Sequence, residues 1–173
     1  MKLAKQHSAE LTQLAKLLEP MRVAMFTHTE DESLISQPMA PLEMDAEGAI
    51  WFFTDRRSSR VEHLSAVNLS FADHEHGTYV SLSGHGEVHT ERAHIERLWT
   101  PQAKPWFPDG PDSPNLALLK IVPERAEYWD APGSRMVRLF AMAASVVAGK
   151  PVGLGDHGKL DDLSTDRSGT SRR

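Results

Sequence analysis

The chain has 173 residues, 40% of them hydrophobic and 25% charged, which suits one globular domain and excludes collagen-like, low-complexity or wholly disordered proteins. The formal net charge is −5, so no basic field covers the chain, and binding to a nucleic-acid backbone is not expected as its main role. The absence of cysteine excludes disulfides, thiolate catalysis, iron–sulfur clusters and cysteine-based zinc sites.

The N-terminal third is predicted to form one helix followed by strands. Apolar residues recur at helical spacing over Leu11–Leu18, with Ser8 as the N-cap and Pro20 as the helix stop. The strands predicted after this helix are Met21–Thr29, Leu34–Ala40 and Ala49–Thr54.

The middle of the chain combines a short helix with two alternating strands. A helix is predicted to begin at Asp55–Ser59, and strands are predicted over Val67–Asp73 and Thr78–Thr90. Gly84 and Gly86 lie inside the second of these strands. Glycine in a strand interior allows bending or a close approach by another backbone, and both favour a curved sheet.

The remaining sequence predicts further elements and a tail. The elements are a helix over Glu91–Trp99, a proline-rich irregular loop over Thr100–Asn115, one strand over Leu116–Trp129 that is broken near Pro123, and a helix with an apolar face over 136–147 that ends at Pro151. Residues 151–173 have few large apolar side chains and are predicted to be disordered, which leaves 1–150 as the domain. Strands separated by turns favour an antiparallel barrel with peripheral helices, and an open α+β sheet is the alternative.

One segment of the sequence indicates an anion site. Thr54, Ser58 and Ser59 place three hydroxyl groups around a predicted strand-to-helix junction, and the guanidinium of Arg60 can bind phosphate oxygens in a bidentate manner. The alternative is structural, because a serine at this place is also a common helix cap and the arginine is then merely solvated.

At this segment the sequence resembles a known family. The pattern FFT-x3-S-x-R at Phe52–Arg60 is similar to the FMN-phosphate motif of the pyridoxamine 5′-phosphate oxidase-like split-barrel flavoproteins, and the chain most resembles their general-stress-protein subgroup. The other matching segments are SQPMA at Ser36–Ala40, WFFT at Trp51–Thr54, YVSLSG at Tyr79–Gly84, LW at Leu98–Trp99, KPWFPDGPDSP at Lys104–Pro114 and ERAEYWDAP at Glu124–Pro132. Together they cover roughly residues 8–135 in the expected order.

The resemblance implies a mainly β fold, a six-stranded antiparallel split β-barrel, and a homodimer with FMN, or alternatively FAD, at its interface. Thr54, Ser58 and Arg60 fall on phosphate-contacting positions, and Ser59 stands where a second basic residue is common. The other cofactor-binding positions implied are Gln37, Pro38 and Met39 along the ring and ribityl chain, Trp51 and Phe53 beside the cofactor strand, Trp106 over the ring, and Trp129 across the dimer.

The sequence also limits the function that the resemblance implies. Since a bound flavin carries the redox chemistry, no catalytic side chain is predicted, and the small-molecule redox partner is not identified. The segment after Trp129 has Arg135 and Arg138 but lacks the histidine of the oxidases' substrate site, so pyridoxamine phosphate oxidation is not expected. The alternatives are a non-catalytic barrel that binds haem or another tetrapyrrole, and an interaction protein that uses the 136–147 face.

Metal binding and membrane association are not expected either. His74 and His76, and likewise His85 and His89, are spaced closely enough to share a metal, but two-ligand spacing specifies little and solvated turn residues are the simpler interpretation. The N-terminus lacks the apolar core of a secretion signal, and no apolar stretch approaches the about 20 residues that span a bilayer. A cytoplasmic protein is the expectation.

Overall fold

The computed structural model describes residues 1–130 and the backbone of residues 156–161, and places all the described strands in one sheet. The strands are β1 (Lys2–Leu3), β2 (Ala24–Glu30), β3 (Ser33–Met39), β4 (Glu43–Met44), β5 (Ile50–Asp55), β6 (Val67–Asp73), β7 (Thr78–His89), β8 (Leu116–Asp130) and β9 (Asp156–Asp161); the helices are α1 (Ala9–Leu18) and α2 (Arg92–Leu98). The sheet order is β1-β4-β5-β8-β7-β6-β2-β3, with β9 paired to β8. Every pairing except β1–β4 is antiparallel.

This architecture confirms the mainly β fold with peripheral helices. Over residues 1–130 and 156–161 the sheet has nine strands instead of six, and these strands do not close into a complete barrel. It gains strands because short segments at the N-terminus and beyond residue 155 pair with edges that the six-strand expectation left free.

The main core lies between the inner face of the sheet and helix α1. Along β2, Ala24, Phe26 and His28 are buried while the residues between them are more exposed, which is the period of two of a half-buried strand. The predicted cap of α1 is confirmed, since the Ser8 hydroxyl accepts a hydrogen bond from the backbone N–H of Leu11 at 3.1 Å. Burial of each large apolar side chain in such a core contributes about 1.5–3 kcal/mol.

A second, smaller core lies on the opposite face of β5 and β8. Trp51 and Leu118 are buried there although their neighbours Phe52 and Leu119 belong to the main core, so both strands bury both faces. Helix α2 and the proline-rich loop cover this second core with Ile95, Leu98, Ala103 and Phe107. Two buried faces explain why these strands consist of near-continuous apolar runs without alternation.

Strand β8 corrects the predicted break near Pro123. It continues from Leu116 to Asp130, and its register against β7 shifts by one residue because Glu124 forms a bulge. Gly84 lies opposite Pro123, and a Cβ atom at Gly84 would lie 2.0 Å from the carbonyl oxygen of Val122. The predicted close approach of two backbones at a strand glycine is therefore confirmed at Gly84.

Two other expectations differ from the structure in part. The helix predicted after Asp55 is a single 3-10 turn, Ser59–Glu62, flanked by i→i+3 bonds from the backbone N–H of Val61 to Ser58 and from that of His63 to Arg60. The proline-rich loop contains two such turns, Pro101–Ala103 and Gly110–Asp112.

Residues 156–161 lie inside the segment for which the sequence predicts disorder, yet their backbone pairs with β8. The division of the chain at residue 150 stays a prediction. Outside the described residues lie the predicted helix over 136–147 and the residues Arg135, Arg138 and Pro151. No helix among residues 1–130 is long and apolar enough to cross a membrane.

Candidate functional site

The loop after β5 is organised by the carboxylate of Asp55. The Asp55 Oδ1 atom accepts a hydrogen bond from the backbone N–H of Arg57 at 2.9 Å, and the Arg57 guanidinium donates to both carboxylate oxygens at 3.1 and 2.8 Å. These bonds from the Arg57 side chain and backbone lower the pKa of Asp55 to about 2. The charge of Arg57 is thereby balanced within the loop. Arg57 therefore stabilises the loop's conformation and is less available than an unpaired arginine to bind an anion.

Arg60, by contrast, carries a charge that no carboxylate balances directly. Its Nε donates to the Ser58 hydroxyl at 2.9 Å, and its Nη1 lies 3.8 Å from the sulfur of Met39. Partial burial lowers the pKa of Arg60, and within residues 1–130 no carboxylate lies within 4.0 Å of its guanidinium. A partly desolvated guanidinium without an ion-pair partner favours an incoming anion.

Thr54 contributes the most informative atom of the site. The residue is only 2% exposed, and its Oγ1 atom is buried without a hydrogen-bond partner among the described residues. A buried hydroxyl without a partner is unfavourable by about 1–3 kcal/mol, so such atoms in native proteins require an explanation. A phosphate oxygen is an acceptor that would satisfy this hydroxyl, and the residues present therefore fit the phosphate group that the resemblance implies.

Ser59 contacts Glu30, which in turn contacts His28, and neither of these two residues is among the site residues that the sequence predicts. Its hydroxyl donates to Glu30 Oε2 at 3.2 Å, and the same carboxylate oxygen lies 3.3 Å from Nε2 of the buried His28. The burial of His28 could have been found from the alternation Ala24, Phe26, His28. The contact of His28 through Glu30 with the loop after β5 could not be found in this way, because Glu30 and Ser59 are 29 residues apart in sequence.

Strand β3 brings two of its three predicted residues to the side of the site. Gln37 lies opposite Phe26, and Met39 opposite Ala24, so both belong to the inner face of the sheet, where Met39 contacts Arg60. Pro38 lies between them and belongs to the outer face beside Met25. The contact between Met39 and Arg60 thus joins the end of β3 to the hydroxyl–guanidinium cluster.

Trp51 and Phe53 lie on the other face of β5 from Thr54. The Trp51 indole N–H donates to Asp45 Oδ2 at 2.8 Å, and the Phe53 ring packs 5.6 Å from that of Trp99. Both rings belong to the second core. The structure therefore places them behind the strand that carries Thr54, where they support it.

The two remaining tryptophans lie elsewhere on the surface. Trp106 is 75% exposed on the proline-rich loop, whose neighbouring Phe107 anchors the loop in the second core. Trp129 is 43% exposed and pairs across the sheet with Tyr79. Tyr79 and Trp129, together with Val23 and Met25, line a shallow depression of about 320 Å³ on the outer face.

The histidine pairs do not assemble a metal centre in the part of the chain that the structure describes. His76 Nδ1 lies 2.7 Å from Asp73 Oδ2 within a turn, and His85 Nδ1 lies 2.9 Å from Glu124 Oε1. Among residues 1–130, no group of three His, Cys, Asp or Glu side chains is placed to hold a metal ion.

Comparison with known proteins agrees with this geometry. A family model described as "Pyridoxamine 5′-phosphate oxidase like" matches residues 9–152. A crystal structure of a candidate general stress protein 26 from Jannaschia sp. CCS1 superposes with a TM-score of 0.69 at 27% identity, over 89% of this chain and 99% of that one. A general stress FMN/FAD binding protein from Xanthomonas citri superposes with a TM-score of 0.63 at 31% identity, over 73% of this chain and 93% of that one. Among curated proteins, Protein bli-3 of Neurospora crassa is 23% identical over 156 residues, 82% of this chain and 75% of that protein.

Proposed function

Because the chain belongs to the pyridoxamine 5′-phosphate oxidase-like family, we propose that it is a flavoprotein that holds the monophosphate of FMN at the Thr54–Arg60 loop. The observation that carries this proposal is the buried Thr54 hydroxyl, which has no partner among the described residues and lies six residues before a partly buried guanidinium without an ion-pair partner there. A phosphate supplies an acceptor for the hydroxyl and a charge for the guanidinium. The similarity to an FMN/FAD binding stress protein supports the same group.

The side chains around this loop have separate tasks in the proposal. Arg60 donates charge-assisted hydrogen bonds to the phosphate, and Ser58 orients the guanidinium through the bond at 2.9 Å. Gln37 lies on the same face of β3 as Met39, and in the proposal it contacts the polar chain between phosphate and ring. The bound flavin supplies the electron or hydride transfer, and the redox role rests on the cofactor without a catalytic side chain.

The proposed assembly is a homodimer with the flavin at its interface. Val23, Met25, Tyr79 and Trp129 form an apolar patch on the outer face of the sheet, and each is at least 40% exposed. Exposed aromatic and methionine side chains around a depression are typical of interfaces. Seating a second copy on this patch would shield Trp129 and bring it toward the partner's flavin.

The first test is a flavin titration of protein purified without added cofactor. We expect FMN to bind with micromolar or lower Kd, observed as a change in flavin absorbance and in tryptophan fluorescence. A parallel titration with FAD measures whether the site accepts the larger cofactor. Colourless protein that does not bind micromolar FMN would refute the proposal.

The second test assigns the phosphate contact to Arg60. Charge-assisted hydrogen bonds of about 1.5–3 kcal/mol correspond to an increase of about 10- to 150-fold in the Kd of FMN for Arg60→Ala, with little change for riboflavin. The matched control is Arg57→Ala, which removes a guanidinium already paired with Asp55 and should change the FMN Kd by much less. Equal losses for FMN and riboflavin in Arg60→Ala would contradict the assignment.

A further inference from the structure

The end of strand β2 places a carboxylate on the hydroxyl that the proposed phosphate site would use. Glu30 is the last residue of β2, and its Oε2 atom accepts a hydrogen bond from the Ser59 hydroxyl at 3.2 Å. Ser59 directly precedes Arg60 in the 3-10 turn. An anion that approaches Arg60 therefore meets a negative charge that already occupies one of the neighbouring donors.

The carboxylate of Glu30 is anchored by a buried histidine. His28 is 2% exposed, and its ring stacks on Phe26 with centroids 5.4 Å apart and lies 6.3 Å from the ring of His63. The Nδ1 atom of His28 is buried without a partner, so the contact of Nε2 with Glu30 at 3.3 Å is the ring's one hydrogen bond within residues 1–130. The ring thus packs against two aromatic neighbours, and its Nε2 contacts the same Glu30 oxygen that accepts the hydrogen bond from Ser59.

The other charges of the loop do not cancel this effect. Asp55 and Arg57 form their own ion pair at 2.8 Å, so their charges largely balance. Arg60 has no carboxylate within 4.0 Å among residues 1–130, although its charge interacts with that of Asp55, and the carboxylate of Glu30 is bonded to the adjacent Ser59. Two like charges about 4 Å apart repel by about 1 kcal/mol even when water screens them fully.

We infer that Glu30 is a specificity-determining residue: its carboxylate competes with the flavin phosphate for the Ser59 hydroxyl and so reduces the preference of the site for FMN over riboflavin. This inference rests on the proposed function of the loop. Binding of the phosphate would require Glu30 to release Ser59 while His28 still holds it nearby. The protein would accordingly hold FMN less tightly than its hydroxyls and guanidinium allow, and would release it readily.

The test measures the Kd of FMN and of riboflavin side by side for full-length wild type and Glu30→Gln. Removal of one screened charge of about 1 kcal/mol predicts that FMN binds at least about fivefold more tightly to Glu30→Gln, with riboflavin unchanged. The matched control is Glu32→Gln, which removes the same charge from the exposed tip of the same hairpin. Glu30→Ala is the second variant, and it should show the same gain if Glu30→Gln does not fold.

The outcomes separate the inference from the function on which it rests. A gain for FMN alone, in the Glu30 variants and not in Glu32→Gln, supports competition at Ser59. Flavin binding by the wild type with no gain in the Glu30 variants, or with an equal gain in Glu32→Gln, overturns the inference and leaves the proposed function standing. Wild-type protein that binds neither flavin overturns both.

Discussion

Replacement of Thr54 by valine should change the stability of the free protein and its affinity for FMN in opposite directions. Valine keeps the β-branched shape that suits strand β5 and replaces the buried hydroxyl with a methyl group. Thr54 is 2% exposed, and its hydroxyl has no hydrogen-bond partner among the described residues. In the free protein the substitution therefore removes a buried polar atom that makes no hydrogen bond there. In the FMN complex it removes a donor to the phosphate. A structural threonine would show only the first effect or neither.

The magnitude follows from the desolvation of one hydroxyl. A buried polar group without a partner is unfavourable by about 1–3 kcal/mol, so the free energy of unfolding of Thr54→Val should rise by that amount. For a chain of this length each kcal/mol raises the Tm by about 2–4 °C, which gives an increase of about 2–12 °C. The lost hydrogen bond to phosphate should weaken FMN binding by about 10-fold or more.

The assay is urea unfolding of the cofactor-free protein combined with titration of FMN. The matched control is Thr78→Val, because the Thr78 hydroxyl is also on a buried strand position but donates to Asp130 Oδ1 at 2.6 Å. That variant should lose about 1 kcal/mol or more of stability and keep its FMN affinity. If Thr54→Val instead destabilises the free protein as Thr78→Val does, the hydroxyl has a partner in the fold and the assignment of Thr54 to the phosphate is refuted.

Two further predictions concern the fold and its dependence on pH. Gly84→Ala should lower the free energy of unfolding by about 3 kcal/mol or more, because its Cβ would lie 2.0 Å from the backbone oxygen of Val122. Urea unfolding should show a smaller loss for Gly86→Ala, because the added Cβ would contact only side-chain atoms there. Burial, and then the charge of Arg97, lower the pKa of His94 below its ordinary 6.5, so the unfolded chain binds the proton more readily. Stability should therefore fall as the pH decreases below about 6.5, and it should fall less in His94→Gln. An equal decrease of the urea midpoint in both proteins between pH 7.5 and 5.5 would contradict this.

The elements with a strong local pattern could be predicted from the sequence alone. Val67–Asp73 was predicted with the bounds that the structure has, because its alternation is regular and turns flank it on both sides. The helix over Ala9–Leu18 followed from the Ser8 cap, the apolar stripe and Pro20. These signals lie within a few residues of one another, so no tertiary information is needed to interpret them.

The predictions failed where a strand is shaped by its neighbours. Pro123 indicates a break in β8, but Gly84 allows β7 to approach the backbone of β8 closely. The bulge at Glu124 lets the ladder continue past a residue that has no N–H to donate. Asp156–Asp161 lacks an apolar pattern, yet β5 pairs only with the first part of β8 and leaves the edge along Arg125–Asp130 open to it. Backbone hydrogen bonding to an available edge depends little on side-chain pattern.

For the candidate site, the sequence by itself determined which chemical groups are present around Thr54–Arg60, since a motif of hydroxyls and arginines is local. Only the tertiary structure decided which of them are available: Asp55 neutralises Arg57, Arg60 has no carboxylate partner within residues 1–130, and Glu30 arrives from another strand to occupy Ser59. The physical reason is that the availability of a charge or a hydroxyl depends on its burial and its nearest partner. The Asp55–Arg57 pair forms within the loop itself, but the burial of Arg60 and the contact of Ser59 with Glu30 are set by segments far apart in the chain.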